Sequence, residues 1–143
     1  MHTTATAPLA TTLAYAFNQR DLSLWASQCA DDAEFSYPGF RGRRGVEAAR
    51  AYNAPFLAAF SDLHFRIDQL TIEGDRSIAC VTARGTHDGP LVTPLGTFPA
   101  SGRVGEVTGV FIATTRDGLI VKEETYWDRA ELLAQLGFGG EGA

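Results

Sequence analysis

The dominant hydrophobic period of this chain changes at Ser61-Asp62. Before that point apolar residues mostly recur every three or four positions, and from there to Trp127 they mostly alternate. Leu9, Leu13, Ala16, Phe17 and Arg20 share one helical face and predict a first amphipathic helix. The NQRD stretch breaks it, and Asp21 is placed to cap a short second helix carrying Leu22, Trp25 and Cys29. ADDAEFSYPG reads as a turn, a short strand through Phe35 and Tyr37, and a Pro-Gly stop. FRGRRG reads as a loop. Gly45 opens a third helix with Val46, Ala49, Asn53, Phe56, Leu57 and Phe60 on one stripe.

Beyond Asp62 the period is two. LHFRIDQLTIE and RSIACVTARGTH read as strands joined by a Gly-Asp turn. DGPLVTPLGTFPASG is a long Pro/Gly loop. RVGEVTGVFIATTR and LIVKEETYW are two further strands, joined by Asp-Gly, a pair favoured in tight hairpins. Asp128 with Glu131 forms a capping box before a last helical turn that stops at Gly137. Helices followed by a run of strands predict an α+β fold. The expected architecture is a cone-shaped α+β barrel: a curved antiparallel sheet with about three helices packed over an apolar pocket.

Composition narrows the partners. At 143 residues the chain is expected to form one domain, with residues 1–8 and 138–143 as flexible tails. Net charge is −5 and basic residues are scattered, so neither nucleic acid nor a membrane is an expected partner. MHTTATAPLATTLAYAF lacks a basic leader segment, and Cys29 and Cys80 fit reduced core thiols; a cytoplasmic protein is expected. His2, His64 and His87 have no metal-ligand spacing, and there is no phosphate-cradling glycine loop.

Alternation assigns faces to the strands. Val81, Ala83, Gly85 and His87 form an inward row, and so do Leu119, Val121, Glu123, Thr125 and Trp127. Glu123 therefore points inward and Glu124 outward. A desolvated carboxyl has a raised pKa and suits acid–base work near neutrality. His87 is a candidate partner or second proton carrier. The bland alternatives are a core histidine, and a Glu123 exposed by a bulge or paired with a loop arginine. Asp128 is read as a helix cap and Glu124 as a surface charge. Asn53 on a core stripe needs buried partners. Tyr15, Trp25, Phe35, Tyr37 and Tyr52 are candidate wall residues, of which the phenol hydroxyls carry most information.

AFNQRDLSLWASQCADDAEFSYPGFRGRRGVEAARAY, GTHDG, GTFPASGR and RDGLIVKEETYWDRAELLAQLG occur in that order across residues 9–137. Together they resemble the SnoaL-like polyketide cyclases of the nuclear transport factor two-like superfamily. The resemblance implies a conical pocket, no cofactor and usually a homodimer. In its founding members an inward Asp on the last strand drives an intramolecular aldol closure. Here that position is Thr125, the position two residues earlier is Glu123, and an inward His of the preceding strand is Phe111. Aligned with ketosteroid isomerases, the base and oxyanion positions fall on Tyr37 and Leu13, which disfavours that chemistry.

The expected function is cofactor-independent ring closure on an apolar, polyketide-like substrate, by epoxide opening, pericyclic or aldol chemistry. Glu123 and His87 are the expected catalytic residues. Tyr15, Tyr37, Tyr52, Asn53, Phe56, Phe111, Thr125 and Trp127 are the expected substrate contacts, and the Pro90–Gly102 loop is an expected lid. The alternatives are a carrier of a hydrophobic metabolite, or a small-substrate isomerase or hydrolase.

Overall fold

The computed structural model describes residues 6–139. It contains α1 (Thr6–Asn18), α2 (Leu22–Ser27), β1 (Cys29–Tyr37), β2 (Phe40–Arg44), α3 (Val46–Ala59), β3 (His64–Glu73) and β4 (Arg76–Thr86). There follow β5 (Leu91–Thr93), β6 (Gly96–Phe98), β7 (Val104–Arg116), β8 (Leu119–Tyr126) and α4 (Arg129–Gln135). Six strands form one sheet in the order β2-β1-β8-β7-β4-β3. Pairing is antiparallel except between β1 and β8, which run parallel. The fold is α+β, as the change of period predicts.

Local chemistry sets most boundaries. The Asp21 side chain accepts from Leu24 N at 2.9 Å and starts α2. Asp128 accepts from Glu131 N at 3.1 Å and starts α4. Asp117 and Gly118 both adopt positive φ, 53° and 82°, the turn that matches the twist of a tight hairpin. Two side chains tie α1 to the sheet. Asn18 donates to Phe65 O at 3.1 Å and accepts from Phe65 N at 2.7 Å. Arg20 donates to the carbonyls of Phe60, Ser61 and Leu63, pinning the turn between α3 and β3.

Four expectations are corrected. FRGRRG is an edge strand, β2, rather than a loop; an edge strand pairs on one side only, so it needs no apolar alternation. ADDA is the start of β1 rather than a turn, and its pairing with β8 is irregular between Cys29 and Glu34, where Asp31 and Asp32 are exposed. The Pro/Gly loop carries the β5–β6 hairpin. The expected tails are partly ordered: α1 begins at Thr6, and Phe138 packs on His87 and Phe98. Residues 1–5 and 140–143 of those tails lie outside the described residues.

Buried residues form two clusters. One gathers Leu13, Trp25, Phe35, Tyr37 and Ile120 where α1, α2 and α3 meet β1 and β8. The other gathers Phe60, Leu63, Leu91, Leu132 and Leu136 at the opposite end. Among the described residues no helix is long and apolar enough to cross a membrane. Cys29 and Cys80 are both free thiols.

Candidate active site

A cavity of about 180 Å³ lies between the inner face of the sheet and helices α1 and α3. Inward residues of β4 (Ala79, Val81, Ala83, Gly85) and β7 (Gly105, Val107, Gly109, Phe111) form one wall. Leu13 and Phe17 of α1, Tyr52, Asn53 and Phe56 of α3, and Phe60 just past the end of α3 form the other. Two glycines set how closely the end can shut. A Cβ on Gly109 would stand 2.6 Å from Tyr126 O, and one on Gly105 would stand 2.6 Å from Leu132 Cδ1. The bare backbone there lets Trp127 and α4 fold against the sheet.

Glu123 is the one ionised-type side chain among the described cavity residues, and it is 3% exposed. Its sheet neighbours are Phe35 on β1 and Ala113 on β7. Tyr37 stands two residues along from Phe35, on the same face. Its hydroxyl donates to Glu123 Oε2 at 3.0 Å. Asn53 Nδ2 donates to Tyr37 Oη at 3.3 Å and to Ala49 O at 2.9 Å. The half-buried amide thus finds its partners in the phenol and its own helix. The result is a relay from α3 through β1 to β8. Tyr37 stacks on Tyr52 at 4.5 Å between ring centroids, which fixes the phenol's direction.

Burial pushes the Glu123 carboxyl up to about 7, against the opposing pull of the Tyr37 hydroxyl. The Trp25 indole N–H and the Thr125 hydroxyl also favour its charged form. Neither closes a hydrogen bond with it, and both Trp25 Nε1 and Glu123 Oε1 stay unpartnered. Burial and the neighbouring Glu123 together raise Tyr37 well above the usual phenol range and lift the Cys29 thiol to about 12. Only the carboxyl therefore changes charge near neutrality within this cluster.

Phe56, Phe111, Thr125 and Trp127 line the cavity beside Tyr37, Tyr52 and Asn53. The Tyr52 hydroxyl is committed to Pro38 O at 3.1 Å, so this residue offers its ring rather than a polar contact. Three expectations fail. Tyr15 is 57% exposed and lies outside the cavity. Trp25 and Phe35 are buried behind the wall. His87 does not meet Glu123. It follows the last strand residue of β4, past the cavity edge, between the rings of Phe60 and Phe138. Its Nδ1 accepts from Ser101 N at 3.1 Å and meets Ser101 Oγ at 3.0 Å. Burial lowers its pKa, and the neutral ring staples the two ends of the β5–β6 excursion.

The expected lid is not one. No residue from Asp88 to Gly102 lines the cavity. Asp88 and Gly89 N–H groups donate to Ala59 O, which anchors the hairpin to the end of α3. What sequence reading missed is the α1 wall (Ala10, Leu13, Ala14 and Phe17) and the role of Gly105 and Gly109. The apolar face of α1 was visible in the sequence; that it faces a void was not.

Fold and site together define a conical α+β pocket protein with one buried acid in an apolar cavity. The chain belongs to the SnoaL-like polyketide cyclase family, whose model matches residues 7–136. No curated protein matches it. Among solved structures, TsrD from Streptomyces laurentii is 27% identical with a TM-score of 0.82, covering 96% of this chain and 98% of that one. Wild-type IdmH from Streptomyces antibioticus, a proposed polyketide cyclase, is 29% identical with a TM-score of 0.77, covering 92% and 97%. AclR from Streptomyces galilaeus, a proposed hydroxylase, shares the fold at 23% identity and a TM-score of 0.78, covering 92% and 84%.

Proposed function

We propose that this protein is a cofactor-independent cyclase of secondary metabolism, closing a ring on an apolar, polyketide-like substrate. The observation that carries the reading is the Glu123 carboxyl: buried among apolar walls, one oxygen held by Tyr37 and the other unpartnered. A carboxyl titrating at about 7 exists in both forms at neutral pH. It can protonate a substrate oxygen at one step and recover the proton at another. Tyr37 holds Oε2 and so directs Oε1, while Asn53 holds Tyr37. The aromatic walls fold the substrate so that its reacting ends meet. Proton transfer supplies about a hundred- to ten-thousandfold, and positioning supplies more. A simple carrier needs no such convergent polar pair. The founding aldol machinery is not reproduced, because its acid position is Thr125 and an inward His position is Phe111. Acid-assisted epoxide opening or pericyclic closure makes the smaller demand that this site meets.

The proposed setting is a reducing, cytoplasmic one, consistent with two free thiols. The proposed assembly is a homodimer. Strand alternation leaves Ile78, Cys80, Ile112 and Tyr126 on the outer sheet face, and Tyr126 is 42% exposed.

The test is turnover of a panel of linear keto-enol, polyene and epoxide substrates, followed by mass spectrometry. The native protein is expected to convert one class to an isomer, or to a product lighter by one water. Glu123→Gln is expected to lose about a hundredfold or more in kcat while still binding. Turnover by that variant at the native rate would remove Glu123 from the chemistry. Tight binding of every class without turnover would make the protein a carrier.

A further inference from the structure

Trp25 is a core residue with an unused polar group. It is 0% exposed, and its indole Nε1 has no hydrogen-bond partner among the described residues. A buried N–H left without a partner costs about 1–3 kcal/mol, and a phenylalanine at the same place would pack without that cost. The residue is held in place by its neighbours. Its ring centroid lies 5.9 Å from that of Phe17 and 6.0 Å from that of Phe35, and Cys29 Sγ donates to its carbonyl at 3.7 Å. Phe35 is the β1 register partner of Glu123 on β8. Trp25 therefore stands behind the cavity wall, on the same side of the sheet as the Glu123 carboxyl.

Glu123 Oε1 is the matching orphan. It is buried and without a partner, while Tyr37 holds Oε2 at 3.0 Å. A lone donor and a lone acceptor are thus buried beside each other, close enough for the indole N–H to favour the charged carboxyl. No cation does that work: no Lys, Arg or His stands among the described cavity residues. The titratable groups around the carboxyl are Tyr37 and Cys29 of β1 and Tyr52 of α3, all raised by burial and uncharged at neutral pH. α1 and β7 present only apolar residues to the cavity.

We propose that Trp25 is a positioning residue for Glu123: its indole N–H closes on Oε1 when the carboxyl ionises and lets go when Oε1 takes up a proton. A hydrogen on Oε1 sets donor against donor, so the contact opens. The ionised carboxylate is then gripped at both oxygens, by Tyr37 at Oε2 and by Trp25 at Oε1 from behind the wall. Two donors fix the plane of the carboxylate and stabilise its charge where no cation stands. The inference rests on the acid–base reading of Glu123, but the contact itself does not require turnover.

Two-dimensional NMR of the nitrogen-labelled native protein reads the indole N–H directly. Trp25→Phe assigns its resonance by removing it, and Trp127→Phe does so by elimination. As the pH rises, the Trp25 indole proton is expected to move downfield with its midpoint at the Glu123 titration, about 7. In Glu123→Gln the same resonance is expected not to titrate. Trp25→Phe is expected to raise the Glu123 titration by up to about one pH unit. The pH profile of kcat, for the substrate class that the native protein turns over, is expected to move with it at unchanged KM. A tryptophan that only packs would move neither. An indole resonance that stays flat through the Glu123 titration would overturn the proposal, and the native protein alone decides this if Trp25→Phe does not fold. So would a folded Trp25→Phe protein with the native titration. A titrating indole in a protein whose Glu123→Gln variant keeps full turnover would retire the acid–base role and leave the contact standing. A flat indole beside an inactive Glu123→Gln would do the reverse.

Discussion

Glu123→Gln keeps the side chain's size and removes its charge. In the fold the carboxyl titrates at about 7, against 4.5 for a free glutamate. Each tenfold difference in proton affinity is worth about 1.4 kcal/mol. The ionised form is therefore disfavoured in the fold by about 3 kcal/mol once the pH is well above 7. The folded value is raised, so the native protein has this contribution in full below about pH 4.5 and loses it as the pH rises through about 7. Glutamine does not titrate. Other ionisable groups cancel when the two proteins are compared. The amide places an N–H₂ group near the Trp25 indole N–H, at a cost of about 1 kcal/mol that is the same at every pH. The variant should therefore gain on the native protein by about 3 kcal/mol between about pH 4.5 and about pH 8.5. Urea unfolding at a series of pH values, with a common m value, measures the difference. A difference that is flat with pH, or that moves in favour of the native protein, would show that the Glu123 carboxyl is not desolvated as described.

Tyr37→Phe removes the donor to Glu123 Oε2 and should raise the carboxyl's titration further above about 7, by up to about one pH unit, read by carbon NMR of labelled glutamate. His87→Ala should destabilise the protein by about 2–4 kcal/mol in thermal or urea unfolding, through lost packing and an unpaired Ser101 N–H. It should leave the Glu123 titration in place; a shift of that titration would restore His87 as its partner. Gly109→Ala should cost more than about 2 kcal/mol in urea unfolding, because its Cβ meets the Tyr126 carbonyl and crowds Trp127. A variant of native stability would show that the strand can shift there freely.

Whatever depends on a residue and its near neighbours in the chain was legible without coordinates. The caps at Asp21 and Asp128 need only a side-chain oxygen three residues before a free N–H. The Asp117-Gly118 turn needs two residues that tolerate positive φ. The inward face of Glu123 follows from the pleat it shares with Thr125 and Trp127. The expected inward Leu119 is wrong: the β7–β8 register shifts between Thr114 and Thr115, which leaves Leu119 39% exposed and buries Ile120 in its place. Apolar alternation likewise placed β3, β4, β7 and β8 within a residue or two. It failed at β2 and at the start of β1, where pairing on one side or a local irregularity removes the need for alternation.

What the tertiary structure decided is who meets whom. Tyr37 reaches Glu123 across 86 residues because β1 runs parallel beside β8, a pairing that no turn specifies. His87 has the parity of the cavity row but lies one step past its edge, where Phe60 and Phe138 close over it. Tyr15 sits on the helix that walls the cavity but on its exposed side. Hydrophobic pattern reports which face of an element is dry. It does not report whether that face meets another side chain or an empty space, because that depends on how far apart the packed backbones stand. Here the sequence alone determined that one carboxylate of the last strand would be buried. The distance between sheet and helices determined that it would be buried beside a cavity, with Tyr37 on one oxygen and no hydrogen-bond partner on the other.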